Sequence, residues 1–544
     1  MPKEPFKLDV LGRITQGQLE LTLRGHSPIQ KVTLSALADA WQSELRDLST
    51  RLQALTQDAA GSESLLSLSD CLVPFTSLAQ LDDTLAQLGL PAASVEEILP
   101  LTGMQSGMWM HCSTQAIAYQ DQVALRLQQP LDEKRFAAAV CALVDETQAL
   151  RTGFAQTLHG ELLQIIFRER TENYQYIDAC AWGEGFEEDL TRLRATLREN
   201  PRDLLRDSLF NLTLLQINAS CFELIIDFHH IALDGWTSAL LLQRLEALYF
   251  GTAVGRDRDS AQGMRPYFEW LGQQPVEQAR DYWQRLLGDY QSRSDVPSHL
   301  PRIPAGEPEP LFVESRAGNA LNASLRTWCE QQGLTLNAAV QTLWGIYLAG
   351  LTGSDDVVYG ATVSGRDSDF AGVSNIAGML INTLPVRIRA GDSATFSELV
   401  RETAQQFAES MSFGHLTLAE IQTFTPARAG LVTHALVFEN YPDAQGSQWQ
   451  WHPQEIFDPM HFEFGLIVAP LEGDLSFRFV ADGSLYRQEK LESMGVQLCA
   501  LLAQLLDADK PFETSRNTGV RAWSLSANFT ADSLLGLLQY HEYI

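Results

Sequence analysis

The sequence reads Asp227-Phe-His-His-Ile-Ala-Leu-Asp-Gly-Trp236 at the junction of a predicted strand and a predicted helix. Upstream, the β-rich runs Asn211–Ile217 and Phe222–Phe228 are separated by Asn-Ala-Ser, a pattern typical of a strand pair. Downstream, Thr237 or Ser238 is the predicted cap of a helix whose leucines recur at helical spacing, namely Leu240, Leu241, Leu245 and Leu248. The two histidines are therefore predicted to lie on a short loop at a strand end, held by regular structure on both sides.

Adjacent histidines at such a point have ordinary explanations besides catalysis, because a buried ring can satisfy a neighbouring polar group or bind a metal. Metal binding is disfavoured, since adjacent side chains at a strand end point apart. In addition, no third ligand recurs at a short spacing such as His-Glu-x-x-His. The sequence thus predicts no metal site, but the pair alone does not decide between a structural and a catalytic role.

Five further motifs occur in order along the chain. They read Pro100-Leu-Thr-Gly-Met-Gln-Ser-Gly-Met-Trp-Met-His111, Leu150-Arg-Thr-Gly-Phe154, Arg265-Pro-Tyr-Phe-Glu-Trp270, Tyr359-Gly-Ala-Thr-Val-Ser-Gly-Arg366 with Ile376-Ala-Gly-Met-Leu-Ile-Asn-Thr-Leu-Pro-Val-Arg387, and Val437-Phe-Glu-Asn-Tyr-Pro442. Together with the HHxxxDG pattern from His229 to Gly235, they resemble the motifs of the condensation domains of nonribosomal peptide synthetases, which are relatives of chloramphenicol acetyltransferase. Six ordered matches are not expected by chance.

The resemblance implies an α/β (α+β) fold of two chloramphenicol acetyltransferase-like lobes, which meet in a V-shaped pseudo-dimer around a central tunnel. We expect the first lobe over residues 96–272 and the second over 273–514, with a turn-prone hinge at Gly272-Gln-Gln-Pro275. The residue pattern agrees with an α/β second lobe, because residues 324–351 are helix-like and residues 357–363 and 380–388 are strand-like.

The flanking segments carry separate expectations. Residues 1–56 look like the closing strand and helix of a preceding epimerisation or condensation domain. In a rival interpretation, Arg24-Gly-His-Ser27 is a degenerate carrier-protein site whose Ser27 bears phosphopantetheine, although few residues precede it. Residues 57–95 are predicted to be a linker, and residues 515–544 a linker or the start of a next module.

Composition limits the function classes. The 544 residues are 45% hydrophobic and 20% charged, as in soluble globular proteins. The chain lacks a run of 18 apolar residues and an apolar signal core, so a cytoplasmic protein without membrane association is expected. The net charge of −29 disfavours a nucleic-acid partner. Seven singly scattered cysteines suggest neither zinc nor a disulfide framework.

The reaction that the resemblance implies is acyl transfer. The amine of a carrier-bound acceptor attacks the thioester of a carrier-bound donor. Both groups are attached to the phosphopantetheine arms of peptidyl carrier proteins. The expected partners are therefore these carrier proteins and neighbouring synthetase domains, and the chain itself, expected to be monomeric when excised, requires no bound cofactor. His230 is implied to face the tunnel, where it either accepts the amine proton or orients the amine.

The resemblance also assigns roles around His230. His229 is expected to pack or hydrogen-bond behind the loop, and Asp234 to form a structural salt bridge with Arg366. Gly235 allows close backbone approach, so that its N–H can serve the developing oxyanion. The tunnel or substrate candidates are Trp236, Tyr267, Asn382 and Ser364, for which packing or structural hydrogen bonds are the alternative roles.

Several motif details resemble the subgroup that takes a D-configured donor, namely Asp-Gly-Trp-Thr, Ile-Asn-Thr-Leu-Pro-Val-Arg and Val-Phe-Glu-Asn-Tyr-Pro. Gly103 and Ser106 in the first motif, and Glu146-Thr-Gln-Ala-Leu150 before the second, depart from that subgroup's usual pattern. The alternatives are an epimerisation domain, an ester-forming or otherwise modified variant, and a recruitment platform without turnover.

Overall fold

Two units of the chain are separately compact in the computed structural model, Met1–Leu66 and Ser67–Ile544. The structure describes residues 8–15, 18–25, 36–43, 45–46, 66–113, 118–170, 173–252, 263–300, 310–390, 395–439, 448–460, 462–471 and 473–507. Ser27, the Asn440-Tyr-Pro442 end of the last motif and residues 515–544 lie outside these ranges, so the predictions made on them stay predictions.

The strands are β1 Leu8–Thr15, β2 Gln18–Gly25, β3 Val95–Leu99, β4 Gln120–Leu127, β5 Thr152–Gln156, β6 Leu162–Phe167, β7 Tyr174–Asp178, β8 Phe210–Asn218, β9 Cys221–His229, β10 Pro310–Arg316, β11 Asp356–Val363, β12 Asn382–Arg389, β13 Ala435–Phe438, β14 Trp451–Phe457, β15 Phe464–Leu471 and β16 Asp474–Asp482. The labelled helices are α1 Leu78–Leu88, α2 Gly103–Cys112, α3 Glu133–Glu146, α4 Phe186–Arg198, α5 Gly235–Phe250, α6 Met264–Gly272, α7 Val276–Leu287, α8 Asn319–Gln332, α9 Leu336–Thr352, α10 Phe396–Ser412, α11 Leu418–Ile421 and α12 Gln488–Asp507.

The first unit contains an antiparallel hairpin, in which β1 pairs with β2 from Leu8 opposite Gly25 to Thr15 opposite Gln18. Helical residues follow at 36–43 and 45–46. The interpretation of residues 1–56 as the end of a preceding domain stays a prediction.

The described residues of the second unit form three sheets flanked by helices, which confirms the predicted α/β class. One sheet has five strands in the order β14-β4-β9-β8-β7, and a second has three in the order β3-β6-β5. The third has six strands in the order β10-β16-β15-β13-β11-β12. The hairpin of β8 and β9 lies inside the five-stranded sheet, so the histidine loop leaves an interior strand.

One strand crosses the predicted lobe boundary. β14 comes from residues assigned to the second lobe, yet it pairs antiparallel with β4 at the edge of the five-stranded sheet. The pairing is interrupted by a register shift between Pro453 and Glu455, because proline has no N–H to donate to the ladder. A strand from beyond residue 272 therefore belongs to a sheet whose other strands come from before residue 272.

The stretch 324–351 was predicted to be helical and forms parts of two helices. α8 ends at Gln332 with Gly333 as its C-cap, whose φ of +65° is favourable for glycine, and α9 starts after its cap Thr335. Every residue of α9 from Ala338 to Ala349 is buried, as expected for a helix that is apolar on all sides. Among the described residues, no single helix is long and apolar enough to cross a membrane, although α8 and α9 satisfy the criteria as a pair bent by 110°.

The predicted linker 57–95 is partly folded. Ser67 and Asp70 form a capping box on a short 3-10 turn, and α1 runs from the cap Ser77 to Gly89. Its Leu81 and Leu85 are buried, which sequence composition alone did not indicate.

Candidate active site at the histidine loop

The loop between β9 and α5 is tightly turned. β9 ends at His229, and α5 begins at Gly235 after the cap Asp234, whose Oδ1 accepts the N–H of Thr237 at 2.9 Å. The prediction that Thr237 or Ser238 caps this helix is wrong. The helix starts earlier because a carboxylate in extended conformation is a strong N-cap, and the Thr237 hydroxyl instead donates to the Gly378 carbonyl at 2.8 Å.

Asp234 and Arg366 form a buried ion pair. Arg366 Nη1 donates to Asp234 Oδ2 at 2.7 Å, and the two side chains are 1% and 0% exposed. The same Oδ2 accepts the N–H of Leu380 at 3.0 Å, while Arg366 Nη2 donates to Thr237 Oγ1 and to the carbonyls of Ile376 and Gly378. Since Asp234 makes its bonds with protein groups, its carboxylate fixes the loop and is not aimed at a substrate.

His229 faces the interior. Its side chain is buried, Nδ1 accepts the N–H of Ile231 at 3.1 Å, and Nε2 lies 3.6 Å from Cys112 Sγ. Burial, with smaller contributions from the charges of Arg202 and His230, lowers the pKa of His229 to about 3. The ring therefore stays neutral and supports the loop from the protein interior.

His230 has a defined tautomer and a partly exposed side chain. Its Nδ1 lies 2.8 Å from the carbonyl oxygen of Leu233 and must donate to it, which leaves the lone pair on Nε2. The backbone N–H of His230 donates to the carbonyl of Tyr119 at 2.8 Å. The side chain is 19% exposed, so Nε2 is the basic atom of this loop that solvent or a substrate can approach.

Sequence reasoning missed Asp121, whose Oδ2 lies 3.9 Å from His230 Nε2. Burial raises the pKa of Asp121 well above its usual range, with His230 opposing and Asp458 reinforcing this effect. For His230, burial disfavours the charged ring, but the carboxylates Asp121, Asp458 and Asp234 outweigh it and raise the pKa. The available signal was the polar run Gln120-Asp-Gln at the start of a strand whose other residues, apart from Arg126, are apolar.

Gly235 is the first residue of α5. An N–H in the first turn of a helix has no partner within the helix, and the helix dipole adds partial positive charge there. The assignment of the Gly235 N–H to the oxyanion stays a prediction.

The remaining candidates have structural contacts. Trp236 Nε1 donates to the Ser374 carbonyl at 3.1 Å, and Tyr267 is buried against Trp270, with ring centroids 5.8 Å apart. Asn382 donates to the Gly414 carbonyl at 2.7 Å. Ser364 Oγ accepts the N–H of Arg366 at 3.1 Å. These contacts fit the structural roles, and the tunnel or substrate roles of the four residues stay predictions. Among the described residues, no hydrogen-bond partner is found for Nε2 of His230.

The family model for the condensation domain matches residues 95–516, and the chain therefore belongs to the condensation domain family of nonribosomal peptide synthetases. Members of this family are acyltransferases that form peptide bonds.

Two curated relatives illustrate the similarity. A mycosubtilin synthase protein of Bacillus subtilis is 28% identical over 516 residues, covering 92% of this chain and 20% of the relative. Tyrocidine synthase 2 of Brevibacillus parabrevis is 28% identical over 442 residues, covering 78% of this chain and 12% of the relative. The chain thus spans at most a fifth of the length of these two multidomain synthetases.

A solved structure shares the fold. The first condensation domain of the calcium-dependent antibiotic synthetase, in complex with a substrate analogue, superposes with a TM-score of 0.60 at 20% identity. The superposition covers 78% of this chain and 99% of that domain. At this identity the match shows the fold alone.

Proposed function

We propose that this domain transfers a donor peptidyl or aminoacyl group from a carrier-bound phosphopantetheine thioester to the amine of a carrier-bound acceptor. The observation that carries the proposal is the state of His230, whose Nδ1 is committed to the Leu233 carbonyl while Nε2 remains basic and accessible. Family membership supplies the reaction class, and the tunnel between two lobes that would admit both phosphopantetheine arms is part of the proposal.

Two residues have defined roles in the proposed reaction, His230 and Gly235. The acceptor amine attacks the thioester carbonyl carbon, His230 Nε2 orients the amine or takes its proton, and the Gly235 N–H donates to the tetrahedral oxyanion. When the C–S bond breaks, the proton passes to the departing thiolate, so no cofactor held by this chain is required. A thioester is already reactive, so correct positioning supplies much of the rate.

We further propose a donor whose C-terminal residue is D-configured. The support comes from the motif details around Gly235, Asn382 and Glu439, which resemble that subgroup. The partners would be donor and acceptor carrier proteins together with the neighbouring domains of a larger synthetase.

The test is intact-protein mass spectrometry of condensation, with the donor loaded in L or D form on one carrier protein and an aminoacyl acceptor on a second. We expect amide product on the acceptor carrier, formed faster from the D-donor. Faster formation from the L-donor would reject the proposed stereochemistry alone. Scrambling of donor stereochemistry without transfer would instead identify an epimerisation domain, and binding of both carriers without product would identify a recruitment platform.

The bond formed has a separate control. An acceptor carrier loaded with a hydroxy acid tests ester formation in the same assay. We expect the amine acceptor to react faster, and a preference for the hydroxyl acceptor would overturn the assignment of amide formation.

A further inference from the structure

Asp121 is a buried carboxylate without a full set of partners. It lies near the start of β4, in register with Phe228 of β9, and is 5% exposed. Among the described residues, no protein group hydrogen-bonds to its Oδ1. Because burying a charged group without partners costs free energy, its position calls for a functional explanation.

The surroundings of Asp121 and His230 are negative. Three carboxyl groups raise the pKa of His230, namely Asp121 on β4, Asp458 after β14 and Asp234 at the cap of α5. Arg366 neutralises Asp234 through their 2.7 Å contact. Asp121 and Asp458 are the other two carboxyl groups that raise the pKa of His230, and their negative potential favours a cation at this site.

The distance between Asp121 Oδ2 and His230 Nε2 suits a shared donor. At 3.9 Å the two atoms are beyond direct hydrogen-bond distance. A single nitrogen at the apex of a triangle can donate to both at about 2.9 Å, the ordinary N–H···O distance. An ammonium group, which has three N–H donors and no acceptor, matches these two acceptors.

We propose, on the basis of the proposed function, that Asp121 and His230 bind the acceptor as its ammonium cation and that Asp121 takes the first of its protons. The mechanism then has two proton acceptors at fixed positions. His230 is one of them, and Asp121 is a further catalytic residue of the same site.

The protons balance over the reaction. Asp121 accepts one proton from the ammonium, and the amine attacks the thioester carbonyl with its freed lone pair. His230 Nε2 accepts the second proton as the C–N bond forms and returns it to the phosphopantetheine sulfur as the C–S bond breaks. The products are an amide, a thiol and one proton, which Asp121 releases to solvent.

The acidity of Asp121 agrees with this role. An ordinary carboxyl group is too weak a base to deprotonate an ammonium efficiently, whereas burial raises the pKa of Asp121 well above that of an ordinary carboxyl. A proton acceptor works best when its pKa lies near the working pH.

The experiment compares Asp121→Asn with Asp227→Asn in the condensation assay. Asp227 is a matched control, because it is also a buried carboxylate in the same sheet, and its Oδ2 has no hydrogen-bond partner in the part of the chain that the structure describes. It precedes Phe228 in β9, so its side chain points to the opposite face, where Gln122 donates to it. Each variant is assayed with an amine acceptor and with an aminooxy acceptor, whose attacking group is unprotonated at neutral pH.

We expect Asp121→Asn to lower the rate with the amine acceptor at pH 6.5 by about 100-fold, the lower end of a general acid–base contribution. The deficit should shrink as the pH rises through the ionisation of the amine. With the aminooxy acceptor the variant should stay close to the wild type, as should Asp227→Asn with both acceptors. An equal loss with both acceptors, or no loss, would overturn the proposal.

A second variant, Asp121→Ser, keeps the proposal testable if Asp121→Asn fails to fold, because it also removes the carboxylate. We expect it to lower the rate with the amine acceptor and to stay close to the wild type with the aminooxy acceptor. An equal loss with both acceptors, or no loss with the amine, would contradict the proposal. Absence of any amide from the wild type would instead reject the proposed function.

Discussion

Arg366 Nη1 contacts Asp234 Oδ2 at 2.7 Å, and this pair joins the HHxxxDG loop to the segment 364–380. Asp234 thereby serves both as the cap of α5 and as the counterion of a buried arginine. The position of His230 depends on this pair, since Leu233, which holds its Nδ1, directly precedes Asp234.

Arg366→Ala is expected to lower the free energy of unfolding by about 3–5 kcal/mol, because it leaves Asp234 buried without its counterion. Urea unfolding measures the change, with Arg192→Ala as the control. Arg192 pairs with Asp189 at 3.1 Å, but both side chains are at least half exposed, so about 0–1 kcal/mol is expected. A loss of less than about 1 kcal/mol from Arg366→Ala would contradict the account. Inactivity of the variant would not by itself show a chemical role.

Gly365→Ala is expected to be more harmful than Gly333→Ala. Both glycines have positive φ, +68° and +65°, but an added Cβ at Gly365 would lie 2.0 Å from the Leu380 carbonyl oxygen, whereas nothing lies within 4 Å at Gly333. Gly333→Ala should cost about 1–2 kcal/mol from backbone strain alone, and Gly365→Ala a further 1–3 kcal/mol or so from overpacking. Equal losses of unfolding free energy would show that the turn before Arg366 can relax.

Acid should destabilise the protein partly through His434. Burial lowers the pKa of His434 to about 4, and Trp344 Nε1 donates to its Nε2 at 3.2 Å. Between an unfolded pKa of 6.5 and about 4, the unfolded state binds a proton that the folded state does not. Stability therefore falls as the pH falls through this window, by about 1.4 kcal/mol per unit for this group.

The check is the free energy of unfolding of His434→Gln between pH 7 and 4. The variant loses the buried ring that packs against Trp344 and Tyr359, so it should be less stable than the wild type at pH 7, and the difference should shrink as the pH falls. A difference that is constant with pH would show that His434 titrates alike in both states.

Local sequence patterns predicted the centre of this site. The β8 and β9 hairpin, the loop with His229 and His230, and the α5 helix follow from short-range alternation and helical spacing. The ion pair of Asp234 and Arg366 came from the family resemblance, because no local rule joins residues so far apart in sequence.

The features that the sequence did not predict depend on strand pairing between residues far apart in the chain. Asp121 reaches His230 because β4 pairs with β9 in one register, and a polar residue at a strand start has no local sign of which face it occupies. The position of β14 at the edge of the five-stranded sheet also depends on pairing with a strand that is distant in sequence, β4. The break between α8 and α9 had a local signal that was overlooked, because polar residues followed by Gly333 are typical of a helix end.

The most direct test of the central claim is single-turnover condensation by wild type, His230→Ala and His229→Asn, with thermal unfolding recorded for each. We expect His230→Ala to lose at least about 100-fold in rate with its unfolding temperature retained, since this side chain is partly exposed. His229→Asn should instead lower the unfolding temperature, because it replaces a buried ring that Ile231 and Cys112 hold. Amide formation by His230→Ala at the wild-type rate would contradict the account.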